Sequence, residues 1–231
     1  MKVVILAGGK GKRLGELTKT LPKPLMPVAG KPIIKHIMDN FSEFGITDFI
    51  VVVGYKKEDI MNYLGDGSRY GFNVRYIVQK EQLGTAHAIS LVKNLVGPYF
   101  FVVYGDLIFD KNILLTLLQK KEKADCVIVS KKVKDPRKYG VLQVDGERVI
   151  GIMEKSENPP SNLINAGIYL FSKRIFDMIE RTPLSPRGEY EVTDSISLLA
   201  KEGSVIHLHL PGHWVDIGTR DNLILASEMF A

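Results

Sequence analysis

The apolar run Val3-Val4-Ile5-Leu6 ends abruptly in Ala7-Gly8-Gly9-Lys10-Gly11-Lys12-Arg13, and ten residues beyond Arg13 stands Lys23, between Pro22 and Pro24. Glycines at 8, 9 and 11 let backbone amides crowd around an anion. Lys10, Lys12 and Arg13 in the same turn, with Lys23 beyond it, suit a polyphosphate better than a single small acid. The residue before a proline is steered to extended backbone, so Pro22 and Pro24 are expected to stiffen Leu21 and Lys23 and aim the lysine. This stretch reads as a triphosphate-binding loop. It is not a P-loop, because G-x-x-x-x-G-K-[ST] does not occur. It is not a dinucleotide fingerprint either, because Leu14 holds the third glycine position and no acidic residue follows at the expected distance.

The elements that must carry this loop follow from apolar patterning. Strands are expected at about 2–7, 48–53, 73–79, 99–104 and 125–130, and helices at about 32–44, 56–64, 85–95 and 111–123. Ile33, Ile34, Ile37, Met38, Phe41 and Phe44 share one face of the first helix, which Pro32 opens and Gly45 stops. Runs such as FIVVV and FFVVY are apolar without alternation, the mark of parallel strands covered on both faces. The second half changes character. A hairpin is expected over 140–153 with its turn at Asp145-Gly146, then a strand at 163–171, helices near 173–180 and 191–202, a strand at 204–210 and a closing helix from about 219. The pattern predicts one α/β domain over 1–231, Rossmann-like and three-layered. Its central sheet is expected to be mostly parallel, with a partly antiparallel extension in the second half.

The chain has 231 residues, 45% of them hydrophobic, and a formal net charge of +5. Aromatic and basic residues are not interleaved, so nucleic acid is not an expected partner. No run approaches the length of a membrane span, and no leader pattern opens the chain, so a cytoplasmic protein with no membrane partner is expected. Cys126 is the single cysteine, which excludes an intrachain disulfide and a cysteine-based zinc site; it falls in a run that reads as buried strand. His207 and His209 alternate on one strand without a helical partner for a metal; His87 and His213 could approach the pocket but are not assigned a catalytic role.

The pattern L-A-G-G-x-G-x-R-L followed by P-K-P-L resembles the opening signature of the sugar-1-phosphate nucleotidyltransferases, and the likeness runs through residues 1–228. It implies that Leu6, Ala7, Gly8, Gly9 and Gly11 wrap a nucleoside triphosphate and that Arg13 and Lys23 neutralise its phosphates. Gln79-Lys-Glu-Gln-Leu-Gly-Thr-Ala-His-Ala88 resembles the base-reading segment, with Gln79 on the nucleobase and Gly84-Thr85 beside the nucleoside. A Gln amide can pair with uracil, thymine or guanine alike. The wording E-Q-L-G-T-A-H-A is most similar to uridylyl- and thymidylyltransferases, those acting on glucose 1-phosphate and N-acetylglucosamine 1-phosphate among them.

The same resemblance implies a Mg²⁺ cofactor. Asp106 follows the strand ending at Tyr104, where open α/β sheets bind ligands, and Asp216 lies in W-V-D-I-G-T. Two carboxylates with phosphate oxygens and waters make a normal Mg²⁺ shell, although each Asp alone could be a loop cap. Tyr104, Gly140 of Tyr139-Gly140, Glu154-Lys155 and Asn165 of N-A-G-I-Y match sugar-phosphate positions, with Lys155 on the phosphate. Thr193 and Asp194 read as helix caps and stay outside the site. The implied reaction joins an NTP, with UTP or dTTP favoured, to a sugar 1-phosphate. Alternatives are the same fold acting on mannose 1-phosphate with GTP or phosphocholine with CTP, and a non-catalytic nucleotide-sensing subunit. Glu154-Lys155 and Asn165 favour a sugar, and joint retention of Arg13, Lys23, Asp106 and Asp216 argues for catalysis. Longer relatives append a β-helix of hexapeptide repeats; none is read here, so acyl transfer and the trimer it brings are not expected. A homo-oligomer is compatible with the sequence.

Overall fold

The computed structural model describes residues 1–230, and of Lys12 only the backbone. The fold is mixed α/β. In chain order its elements are β1 (Lys2–Ala7), α1 (Leu17–Thr20), β2 (Pro27–Val28), β3 (Lys31–Pro32), α2 (Ile33–Ser42), β4 (Asp48–Val53), α3 (Lys57–Leu64), β5 (Asn73–Val78), α4 (Thr85–Ser90), β6 (Tyr99–Tyr104), β7 (Leu107–Phe109), α5 (Ile113–Gln119), β8 (Cys126–Lys132), β9 (Gly140–Asp145), β10 (Arg148–Glu154), β11 (Leu163–Ser172), α6 (Ile175–Arg181), α7 (Val192–Lys201), β12 (Val205–His209), β13 (Trp214–Asp216) and α8 (Arg220–Glu228). Short 3-10 turns occupy Lys12–Leu14, Lys23–Leu25 and Ser68–Tyr70. No helix among the described residues is long and apolar enough to cross a membrane. The contacts divide the chain into two compact units.

The first unit holds residues 1–82, 103–111 and 212–230. Strands β1, β4 and β5 pair parallel, Lys2 facing Asp48 and Asp48 facing Asn73. The apolar runs behave as expected: Val3, Val4, Ile5 and Val51 to Val53 are fully buried. Helix α2 buries Ile33, Ile34, Ile37, Met38 and Phe41. It ends at Ser42, ahead of Gly45, whose φ of 72° makes the stop. The expectation missed a ribbon: β7 and β13 pair antiparallel, with Trp214 facing Phe109, Val215 facing Ile108 and Asp216 facing Leu107.

The second unit holds residues 83–102 and 112–211. Here β8 pairs antiparallel with β11 and parallel with β12, and β10 pairs antiparallel with both β12 and β9. The hairpin turn falls at Gly146, whose φ is 59°. Strand β11 is buried along its whole length, and its register slips between Asn165 and Tyr169, so Ile164 also meets Val141 of β9. Phe100 stacks on Phe176, and Tyr169 on Phe171, at the centre of this core. Cys126 is fully buried, and burial pushes its thiol well above the usual range, as an inert core residue requires.

Two helices are shorter than the apolar pattern predicts. Helix α4 stops at Ser90, after which the bonds from the Val92, Lys93 and Leu95 amides tighten to the third residue back. Helix α5 stops at Gln119, where the sequence turns to Lys120-Lys121-Glu122-Lys123 and loses its apolar face.

Candidate functional site

In the first unit β1 delivers the glycine loop. The Leu6 carbonyl accepts the Gly105 N–H at 2.9 Å. A side chain at Gly105 would sit 2.9 Å from that oxygen, so the chain can pass only as glycine. The Gly8 carbonyl accepts the Tyr55 N–H at 3.2 Å and the Gln82 Nε2 at 2.8 Å. Gly9 is exposed with open space where a side chain would lie, and Gly11 has a φ of 62°. The loop is therefore anchored at Gly8 and bare at Gly9, which leaves room for a ligand's phosphates. Gln79 is buried at the end of β5, its Oε1 3.1 Å from the space beside Gly8. Tyr104 ends β6, half-buried. The side chain of Lys12 lies outside the described part of the structure.

Lys23 departs from expectation in its backbone. Leu21 is extended, with φ −133° and ψ 133°. Lys23 instead opens a 3-10 turn, in which the Leu25 and Met26 amides bond the Pro22 and Lys23 carbonyls at 2.9 and 3.1 Å. These two bonds outweigh the local preference that the following proline imposes. The turn buries the stem of Lys23 and leads its ammonium to Asp106 at 2.5 Å and Asp216 at 3.5 Å. The Arg13 guanidinium stands 3.7 Å from Asp216, over the face of Gly218 where a side chain would be 3.1 Å away.

The β7–β13 ribbon is what brings the two aspartates together. Asp216 faces Leu107, and the next residue, Ile217, donates its N–H to the Asp106 carbonyl at 2.9 Å. Burial and the charge of Asp106 push the Asp216 carboxyl up, against the pull of Lys23 and Arg13. Burial lowers Lys23, but the two carboxylates outweigh it and the ammonium is held charged. Two carboxylates that repel each other and share one cation are a donor set suited to a hard divalent ion. No group of three or more His, Cys, Asp or Glu is placed to hold a metal ion among the described residues. Asp106 and Asp216 are thus a carboxylate pair whose chemistry fits a hard divalent cation, and they are the two residues that would hold one.

The second unit gathers a different set. Gly84 has a φ of 112°, and a side chain there would strike the Tyr190 backbone. Leu83, Ala86 and Tyr190 are knitted by main-chain bonds, and the Thr85 hydroxyl accepts the Val192 N–H at 2.9 Å. Thr85 therefore caps α7. This corrects the expectation for Thr193 and Asp194, neither of which caps that helix. Both lie inside its first turn, where Thr193 donates its hydroxyl to Glu154 Oε2 at 3.0 Å. Glu154, at the end of β10, has Arg187 at 3.5 Å and Lys155 at 3.7 Å from its Oε1. Gly140 lies against it, since a side chain there would be 2.8 Å from Glu154 Oε2. Lys155 has a φ of 47°, an uncommon conformation for a residue with a side chain, and its N–H bonds the Tyr139 carbonyl at 3.0 Å.

Asn165 sits where β11 slips register. Its Oδ1 accepts the Gly167 N–H at 2.9 Å and its Nδ2 donates to the Tyr169 hydroxyl at 2.6 Å. The N-A-G-I-Y run thus builds its own buried bulge, with Gly167 at a φ of 75°. Sequence reading missed Arg187, which also pairs with buried Glu191. Burial pushes the Glu191 and Asp194 carboxyls up; Glu154 adds to both, and Arg187 opposes both. The R-x-x-x-E spacing of Arg187 and Glu191 was the available signal. Gln82 was missed too, although it stands in the segment that carries Gln79.

A family model described as Nucleotidyl transferase matches residues 2–231. The Haloferax volcanii low-salt glycan biosynthesis nucleotidyltransferase Agl11 is 40% identical over 235 residues, spanning 99% of this chain and 66% of its own length. Methanocaldococcus jannaschii bifunctional protein GlmU is 40% identical over 229 residues, spanning 99% of this chain and 54% of its own. The chain thus spans between about half and two thirds of these two relatives. The UTP–glucose-1-phosphate uridylyltransferase AglF of Haloferax volcanii is 38% identical over 223 residues, spanning 94% of this chain and 91% of its own. A crystal structure from Bacillus anthracis, provisionally described as a glucose-1-phosphate thymidylyltransferase and complexed with sucrose, superposes with a TM-score of 0.91. It is 33% identical, over 99% of this chain and 94% of that one.

Proposed function

The chain belongs to the nucleotidyl transferase family, and from that premise we propose that it transfers a nucleotidyl group from an NTP to a sugar 1-phosphate, releasing pyrophosphate. One observation carries the reading: Lys23 and Arg13 converge with Asp106 and Asp216 in the unit that also holds the glycine loop. That is the equipment of a site built for polyphosphate and a divalent cation. The names of AglF and of the Bacillus structure support UTP or dTTP as donor and glucose 1-phosphate as an acceptor to test first. The parallel strands β1, β4 and β5 fit the Rossmann-like, three-layer class expected from the sequence.

An oxygen of the sugar phosphate attacks the α-phosphorus in line. A new P–O bond forms, the bond between the α-phosphorus and its bridging oxygen breaks, and that oxygen leaves with pyrophosphate. The attacking phosphate is already an anion, so no protein nucleophile or base is needed. The glycine loop from Leu6 to Gly11 receives the triphosphate. Arg13 and Lys23 neutralise the charge that gathers on pyrophosphate as it leaves. Gln79 reads the base, with Gly84 and Thr85 shaping the nucleoside position. Lys155 holds the sugar phosphate, and Glu154, seated by Arg187 and Thr193, takes sugar hydroxyls together with Gly140 and Asn165. Asp106 and Asp216 would hold Mg²⁺, which when bound draws charge from the nucleotide phosphates.

The test is pyrophosphate release across UTP, dTTP, GTP, CTP and ATP against several hexose 1-phosphates, with Mg²⁺ and with EDTA. Release in the UTP or dTTP column, abolished by EDTA, is the expected result. Silence across the grid would overturn the sugar-phosphate reading.

A further inference from the structure

Two residues that touch no reacting group in the scheme above hold the back of the phosphate loop. The Tyr55 N–H bonds the Gly8 carbonyl at 3.2 Å, at the loop's start. The Tyr55 hydroxyl donates to the Thr18 carbonyl at 3.2 Å, and the Lys56 ammonium donates to the carbonyls of Lys19 at 2.6 Å and Thr20 at 2.8 Å, at the loop's far end. Those carbonyls belong to α1, a four-residue helix whose last oxygens have no partners of their own, and a cation is the group that suits such an end. Thr18 in turn fills the space beside Gly11, its Cγ2 2.9 Å from where a side chain would begin. Three residues beyond Thr20 the chain reaches Lys23.

The hold depends on backbone that its residues do not adopt freely. Lys56 has φ 51° and ψ 41°, left-handed and uncommon for any residue but glycine. Gly54 before it lies so close to the Gly8 carbonyl that a side chain would stand 2.8 Å from the oxygen. Strained non-glycine backbone persists where surrounding contacts over-determine it, and it gathers at functional sites. Asp59, 3.9 Å from the Lys56 ammonium, balances the charge on the outer side.

We propose that Tyr55 and Lys56 are positioning residues: a buckle that fastens residues 8–20 and thereby sets Arg13 and Lys23 for the triphosphate. The inference rests on the nucleotide reading for its kinetic part and on geometry alone for its structural part. The test compares Lys56→Met with Lys56→Arg and with the milder Tyr55→Phe, each first checked for an unchanged melting temperature. In the ligand-free protein, amide exchange at Thr18, Lys19 and Leu21, whose N–H groups are all bonded within the loop, is expected to quicken about tenfold in Lys56→Met as local opening becomes easier. The same variant is expected to raise KM for the NTP by about tenfold and leave KM for the sugar phosphate within about twofold, because it misplaces only the triphosphate groups. Lys56→Arg should restore both. Unchanged exchange in Lys56→Met overturns the buckle even if no NTP is ever turned over. Exchange that quickens while both KM values move together overturns its role in placing the triphosphate. A wild-type protein inert to every NTP defeats the nucleotide reading instead and leaves the exchange result to decide the buckle.

Discussion

Lys23 is shared by two carboxylates 83 and 193 positions away in the chain. The sequence marks it out through P-K-P but misreads its backbone, since a tertiary turn overrides what the following proline prefers. Lys23→Ala removes the cation aimed at the leaving pyrophosphate, and turnover is expected to fall by about 10²-fold or more, the usual loss for a preorganised charge-stabilising donor. Single-turnover pyrophosphate release measures it, and near-normal turnover would refute the role. Asp106→Asn keeps the shape and removes one of the two carboxylates. The Mg²⁺ concentration giving half-maximal rate is expected to rise at least about tenfold, a loss that even outer supporting groups around a metal can cause. An Mg²⁺ titration that overlays the wild type would remove Asp106 as a ligand. Arg187 escaped notice because its meaning is relational: it is one exposed-looking cation in S-P-R-G until the fold sets it between Glu154 and Glu191.

At the scale of elements, long uniform apolar runs were legible to the residue. The bounds of β1, β4 and β6 agree with expectation, because an apolar run closed by Gly or by charge leaves little choice. Two- and three-residue strands were not legible, since no period shows in so short a window. The β7–β13 ribbon is such a pair, and it is the one that aligns the aspartates. Elements are also tied by single polar groups. Asp125, just before β8, accepts the hydroxyls of Ser172 and Ser204, each at 2.6 Å, and Arg174 at 2.8 Å, so it links the ends of β11 and β12 to β8. Burial works against its carboxylate, but those hydroxyls and the guanidinium outweigh it and hold its value below the usual carboxylate range. Its contribution to stability is therefore complete above the unfolded value of about 3.9 and is lost as pH falls through the folded value. Urea midpoints at pH 5 and pH 3 are expected to fall further for the wild type than for Asp125→Asn. Equal falls would show that Asp125 carries none of the acid sensitivity.

For the whole molecule, a ligand that binds only the folded chain must stabilise it. UTP or dTTP with Mg²⁺ at about a hundred times its Kd is expected to add about 2.7 kcal/mol, read as a rise in melting temperature that EDTA reduces. A melting curve blind to every nucleotide would contradict the proposed function. The sequence by itself determined the α/β alternation, the glycine loop, the cations that follow it and the family, because these rest on local pattern and on wording that stays together along the chain. Only the tertiary structure decided that Lys23 joins Asp106 to Asp216, that Thr85 caps α7, that Arg187 and Thr193 seat Glu154, and that Tyr55 and Lys56 brace the loop. Each of these joins residues far apart in sequence, and their distances are fixed by strand register and by buried bonds that no local window contains.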